Sequence, residues 1–394
     1  MDDHKLTSAL LNIAHALDHL FLLIFATAIG VIAIEFGFER WEDLMPYGAG
    51  AFLMFGLGSI PAGRLGDLWG RRIMMTIFFF GIGISSIVAG LTQSAWQLGL
   101  VLVVLGLFSS IYHPVGIPML VQGARRPGAV LGFNGLAGNL GIAAAALLTG
   151  LLVTWSGWRS AFIVPGVVSV ILGFVFMLTA PKEIEAPNRR KPSQTAIPEG
   201  LWRRIFLVVT ATAVTGSLLF NFTTNGNAEL LRERFDGIVS DPAMLGLLLA
   251  AVYTAAAFSQ LIVGRMIDRY PLKPLFLGIA LFQAPLFVLA AYAEGWWFAA
   301  LAIGYMMSIF GVIPFTDAII VRYVDDRMRS RVTGMRLAVS FGVSSAAVWA
   351  LGPFVKASGF STLLLTMAGI AVVTCLLVML LPGTDRVSDV TPQA

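Results

Sequence analysis

Twelve apolar runs, each long enough to cross a bilayer, constrain this chain more than any single residue in it. They lie at about 8–35, 45–62, 73–93, 97–121, 129–153, 159–180, 204–230, 242–263, 273–293, 297–320, 331–355 and 360–382. A hydrocarbon core about 30 Å thick takes about 20 residues of helix, the form that satisfies its own backbone polar groups there. With 57% hydrophobic and 12% charged residues, against about 25% charged in soluble domains, a water-soluble globule is excluded. The expected fold class is all-α and polytopic, with twelve transmembrane helices and no room among 394 residues for a second catalytic domain. Cys375 stands alone in an apolar run, so neither a disulfide nor a thiolate metal cluster is expected. The start, Met1 to Lys5, lacks the basic region of a cleaved signal, and the first run reads as a retained span.

The longest polar interval divides the runs six and six. It predicts an N-terminal bundle over 1–181, a cytoplasmic linker over 182–203 and a C-terminal bundle over 204–394. Lys and Arg resist translocation and stay on the cytoplasmic side. Arg64, Arg71, Arg72, Arg125, Arg126, the linker cations, Arg265, Arg269, Lys273, Arg322, Arg327, Arg329 and Arg331 all follow even-numbered spans; five cations, Arg40, Arg159, Arg232, Arg234 and Lys356, fall on the other face. Both termini are therefore expected to be cytoplasmic. The net charge of +4 reflects this loop bias, and no nucleic-acid partner is expected.

The halves repeat. After the second span stands Gly63-Arg64-Leu65-Gly66-Asp67-Leu68-Trp69-Gly70-Arg71-Arg72, and after the eighth Gly264-Arg265-Met266-Ile267-Asp268-Arg269. In both, a glycine precedes an aspartate by four residues and basic residues follow. On these motifs the chain resembles the major facilitator superfamily, with Leu68 a departure where a base is usual. The resemblance implies two six-helix bundles around a central cavity, parallel repeats of one another. It also implies a conformational latch made by Gly63, Asp67, Gly70, Arg71, Arg72, Gly264, Asp268 and Arg269. Asp67 would cap the eleventh span near Arg329 to Arg331, and Asp268 the fifth near Arg126 to Gly128, since a carboxylate suits a helix N-terminus.

Ionisable groups inside a membrane helix each cost a few kcal/mol, so those in the first span carry weight. At 100° per residue, Ser8, Asn12, His15, Asp18 and His19 share about 120° of arc. Asn221, Thr224 and Asn225 in the seventh span repeat the spacing of His15, Asp18 and His19. Tyr112 and His113 precede Pro114 in the fourth span, and Asp317 lies in the tenth; Asp18 and Asp317 read as the carboxylates well inside spans. The resemblance places spans one, four, seven and ten around one chamber. It makes Asp18, His19, His113 and Asp317 the expected proton-coupling groups, because a buried carboxylate and an imidazole together can titrate near neutrality. Asn12, His15, Tyr112, Asn134, Asn221, Thr224 and Asn225 are the expected solute contacts. Gly132, Gly135, Gly138 and Gly141 read as a packing stripe, and Arg336 as a cation that snorkels to the cytoplasm.

With no Gly-Lys-Ser/Thr phosphate cradle, transport runs on a gradient and no cofactor is expected. The function expected is secondary active transport of a small organic solute, proton-coupled, by a monomer in the cell membrane, as in a bacterial inner membrane. Export is favoured by a likeness of Tyr112-His113-Pro114 and Ala137-Gly138-Asn139-Leu140-Gly141 to the fosmidomycin-resistance branch, whose members are exporters. A divalent transition-metal or organic-anion transporter using the His/Asp cluster, or a non-transporting receptor, is the alternative; an enzyme is not expected.

Overall fold

The computed structural model describes residues 3–121, 127–181, 199–267, 269–323 and 326–381, with no strand among them. Its helices are α1 (Asp3–Glu35), the short α2 (Trp41–Leu44), α3 (Ala49–Trp69), α4 (Arg71–Gly90), α5 (Ala95–Ser109), α6 (Ile117–Val121), α7 (Pro127–Ser156) and α8 (Trp158–Thr179). The second half follows with α9 (Glu199–Arg234), α10 (Pro242–Ile267), α11 (Leu272–Ala290), α12 (Gly295–Tyr323) and α13 (Asp326–Met379). Eleven segments are long and apolar enough to span a membrane. The last, Arg336–Met379, has 44 residues, about 66 Å of helix and twice what one crossing needs. It breaks at Gly359, whose φ of 77° is one that L side chains rarely adopt, and so supplies two crossings. The molecule is a multi-pass membrane protein of twelve spans.

Six spans make each bundle. In the first, α1 packs on α7, α4 on α8, and α5 on α3 and α4; in the second, α9 and α11 pack on α13, and α10 and α11 on α12. Apolar association gains little inside lipid, so close backbone approach and interhelical hydrogen bonds replace it. Ser86 Oγ donates to the Phe162 carbonyl at 2.7 Å and Ser169 Oγ to the Phe79 carbonyl at 2.9 Å, tying α4 to α8 from both sides. Large apolar side chains such as Ile60, Leu100, Ile171, Phe282 and Leu376 stay exposed, as a lipid-facing surface requires. Trp96, Trp155, Trp296, Trp297 and Tyr292 are exposed near helix ends, where amphipathic rings anchor at the membrane interface.

The bundles meet through α7 against α10 and α3 against α13. These contacts are concentrated towards the face opposite the one bearing Arg64, Arg71 and Arg265, called here the basic face. At the opposite face a Cβ on Gly352 would stand 2.1 Å from the Glu42 carbonyl oxygen, and one on Gly150 2.6 Å from that of Pro242. Lys356 Nζ reaches both Asp43 oxygens at 2.6 Å, Trp41 stacks on Phe360, and Thr154 Oγ1 donates to Asp241 at 3.4 Å. Nearer the basic face, Gly135 of α7 still meets Gln260 of α10, while at Gly132 and Gly264 the Cβ position is open space to 4 Å.

Candidate functional site

The polar stripe of α1 turns into the first bundle and meets the broken fourth span. Pro114 has no N–H to continue an α-helix, and Tyr112–Gly116 forms a π-helical turn between α5 and α6. That widened turn presents the consecutive rings of Tyr112 and His113 to α1. His15 stacks on Tyr112 with centroids 4.7 Å apart at 18°, and His113 stands edge-on to His15 at 5.1 Å and to His19 at 5.9 Å.

Hydrogen bonds order this cluster. His15 Nδ1 lies 2.8 Å from the Asn134 backbone carbonyl, which accepts only if that nitrogen carries the proton. Its Nε2 is then a lone pair, 3.2 Å from His19 Nε2. The Asn134 side-chain amide donates to Tyr112 OH at 2.7 Å and Asn12 Oδ1 at 3.0 Å. Gly138 is small because the His15 ring fills the space a Cβ would need, at 2.6 Å, and Gly141 because the Ala16 carbonyl does, at 2.1 Å. The glycine stripe thus seats α1 on α7 at Gly138 and Gly141, while Gly135 faces Gln260 of α10.

Asp18 is fully buried, its oxygens with no hydrogen-bond partner at standard geometry among the described residues but with the Ser109 hydroxyl close enough to act on them; His113 Nε2, 3.7 Å from Oδ2, has no partner either. An isolated buried carboxylate is costly, so this pair is where a proton or another cation would be held. The second bundle comes close through α13. Phe341 packs on Phe55 at 4.1 Å and lies 6.4 Å from the His113 ring, and Arg336 is near enough to act on His113 electrostatically. Arg336 therefore belongs to the surroundings of the cluster, where sequence suggested a snorkelling cation.

Asn12, His15, Asp18, His19, Tyr112, His113 and Asn134 are thus brought together. Asn221, Thr224 and Asn225 form a separate network on α9: Asn221 Nδ2 donates to Ser344 Oγ at 2.7 Å, Thr224 Oγ1 to the Phe220 carbonyl at 2.7 Å, and Asn225 Nδ2 to the Asn221 carbonyl at 3.1 Å. Tyr305 OH donates to Asn227 Oδ1 at 3.0 Å, a buried pair that the search for the α1 spacing passed over. Asp317 lies on α12, with its side chain outside the described residues, as is that of Asp67; Asp268 is outside them altogether. Of the latch, Arg72 donates to the Met177 carbonyl, within the first bundle.

Glu229 is a further carboxylate buried inside a span, contrary to the expectation that Asp18 and Asp317 are alone in this. Arg232, one turn on, accompanies it as an ion-pair partner. Both line a cavity of about 510 Å³ at the opposite face, together with Glu39, Arg40, Glu42 and small residues of α1, α7 and α10. For a metal, the cluster offers one ring nitrogen from each of His15, His19 and His113, all within 4.8 Å of one another.

The profile of the Major Facilitator Superfamily matches residues 11–235 and 236–393. Among curated proteins the chain is similar to the efflux pump terJ of Aspergillus terreus, 25% identical over 68% of this chain and 49% of that one. It is also similar to an MFS-type efflux pump of Mycolicibacterium smegmatis, 29% identical over 62% of this chain and 54% of that one. The matches thus span about half the length of these relatives. Among solved structures, a bacterial homologue of the human lysosomal transporter Spinster, in an inward-facing and occupied conformation, aligns over 100% of both chains with a TM-score of 0.78 at 14% identity. That likeness concerns the fold.

Proposed function

The chain belongs to the Major Facilitator Superfamily, and on that premise we propose that it is a secondary active transporter, not an enzyme, exporting a small organic solute coupled to protons. The observation that carries this reading is Asp18: a carboxylate in mid-span, fully buried, with no hydrogen bond to either oxygen and an equally unpartnered imidazole nitrogen 3.7 Å away. Such a group is retained in a membrane helix at a cost of roughly 2.5–3.5 kcal/mol, which points to a task other than holding helices together. Protonation of the Asp18–His113 pair removes the charge that the closed states must bury. The cycle then crosses those states only with the proton aboard, and solute movement is tied to proton movement. His19 hands protons to the pair, and Asp317 is assigned the corresponding role in the second bundle.

Asn12, His15, Tyr112 and Asn134 on one side, and Asn221, Thr224 and Asn225 on the other, are assigned to the solute. The bundles, 1–181 and 204–394 joined by the linker 182–203, rock about this level, with the glycine–aspartate loops as latches on the basic face. With that face cytoplasmic, as its Lys and Arg argue, the contacts of Gly352, Gly150 and Lys356 close the described conformation towards the outside. Export is supported by the efflux pumps among the relatives, and the cavity beside Glu229 and Arg232 then lies on the exit path. The protein acts as a monomer in a cell membrane, the inner one in a bacterium, with both termini cytoplasmic.

Reconstitution in liposomes holding a pH-sensitive dye tests the reading. In a screen of small organic solutes under metal-free conditions, at least one solute is expected to drive pH change above that of protein-free liposomes. Proton-independent movement of every transported solute would remove the coupling.

A further inference from the structure

We propose that His15, His19 and His113 form a binding site for a divalent first-row transition-metal ion of the cobalt, nickel and zinc class, with the Asp18 carboxylate, 3.7 Å from His113 Nε2, beside it as counter-charge. The site rests on geometry rather than on the transport reading. Two nitrogens bound to one tetrahedral ion at about 2.0–2.1 Å stand about 3.3–3.4 Å apart. His15 Nε2 and His19 Nε2, one helical turn apart, are already at 3.2 Å. The third imidazole has a ring nitrogen within 4.8 Å of theirs, and the soft χ2 torsion of histidine lets the wider pairs close.

The surroundings of His15 favour the same use. Its Nδ1 is committed to the Asn134 backbone carbonyl at 2.8 Å, which leaves Nε2 unprotonated and fixes the ring plane. An outer hydrogen bond of this kind orients metal-bound histidines and raises their basicity. Tyr112, stacked on the ring at 4.7 Å, holds it from one face.

Unsatisfied atoms border the cluster on its His113 side. His113 Nε2 and both Asp18 oxygens are buried without hydrogen-bond partners, and Nε2 and Oδ2 are 3.7 Å apart. A hydrogen-bonded scaffold would leave few such orphans in one place; a cation on the imidazoles occupies His113 Nε2 and sets a positive charge beside Asp18. A donor set of three imidazoles with the fourth position left to water suits the zinc-like metals, with no oxygen cage for magnesium or calcium and no thiolate for copper(I).

The full chain, purified in detergent and freed of metal with a chelator, is titrated with Co2+ by equilibrium dialysis and visible absorption. Expected are one Co2+ per chain, the intense absorption of four-coordinate cobalt, displacement by Zn2+, and affinity at least about 10-fold weaker in His19→Gln and in His113→Gln. Both variants are first checked for wild-type elution and melting, and His15, which also braces Asn134, is left in place. No saturable binding, the faint spectrum of six-coordinate cobalt, or unchanged affinity in both variants overturns the site. Solute-driven proton movement measured in chelator is a separate readout. Flux without cobalt binding sinks the metal site alone, whereas cobalt binding without flux from any solute sinks the transport reading alone.

Discussion

Asp18→Asn abolishes solute-driven proton movement in liposomes while leaving the protein folded and able to exchange solute for solute. Asparagine has nearly the shape of aspartate and cannot carry the proton. Near the Asp18 oxygens stands the Ser109 hydroxyl, which an asparagine Oδ1 can still meet, so the substitution removes charge and little else. An ionised carboxylate in mid-span costs roughly 2.5–3.5 kcal/mol, and its neutral isostere does not. Melting followed by tryptophan fluorescence in detergent is therefore expected to show stability undiminished, in the usual opposition between function and stability at an active centre. Flux falls to that of protein-free liposomes, a change well beyond tenfold. A variant that melts much earlier would instead make Asp18 part of the scaffold, and one with wild-type flux would take it out of coupling.

Gly352→Ala is expected to lower turnover by about 5-fold or more through a different route. Gly352 belongs to the second bundle and Glu42 to the first, and the new methyl would lie 2.1 Å from the Glu42 carbonyl oxygen. Backbone cannot move aside as a flexible side chain does. Overpacking of this kind costs about 1–3 kcal/mol, and here it falls only on states in which the bundles touch at the opposite face. A penalty of that size on one of two states shifts their ratio by about 5–150-fold. The protein stays folded, because each bundle keeps its own packing, but it accumulates in the form open at the opposite face. Gly141→Ala makes a useful contrast: its clash, also 2.1 Å, is with the Ala16 carbonyl inside the first bundle. It lowers the melting temperature rather than redistributing states.

Much of this was legible before any coordinates. The apolar runs separate cleanly because lipid requires about 20 such residues each time, and even the break within α13 showed as the polar gap between Lys356 and Phe360. The α1 stripe was readable because ionisable residues at helical spacing are rare in a span. Its meeting with Tyr112 and His113 was not. Pro114 marks a disruption but does not say that the turn widens into a π-helix and aims two neighbouring rings the same way. Arg336 and Phe341 reach the cluster only through the contact between bundles, which depends on conformational state and leaves no periodicity in the chain. Glu229 was overlooked because an i, i+3 arginine is also what an exposed helix end carries. The α9 network was found by its spacing, yet Asn227, buried beside Tyr305, falls outside that spacing.

The central claim is that two rigid bundles rock about the level of Asp18, and paired distances across them test it most directly. In a Cys375→Ser background, spin labels at positions 154 and 241 report on the opposite face, and labels at 131 and 265 on the basic face. Gly352→Ala, with no need of a known solute, should lengthen the first distance and shorten the second in the same molecules. If the first pair lengthens while the second keeps its distribution, the change is a local displacement, and the rocking mechanism is contradicted.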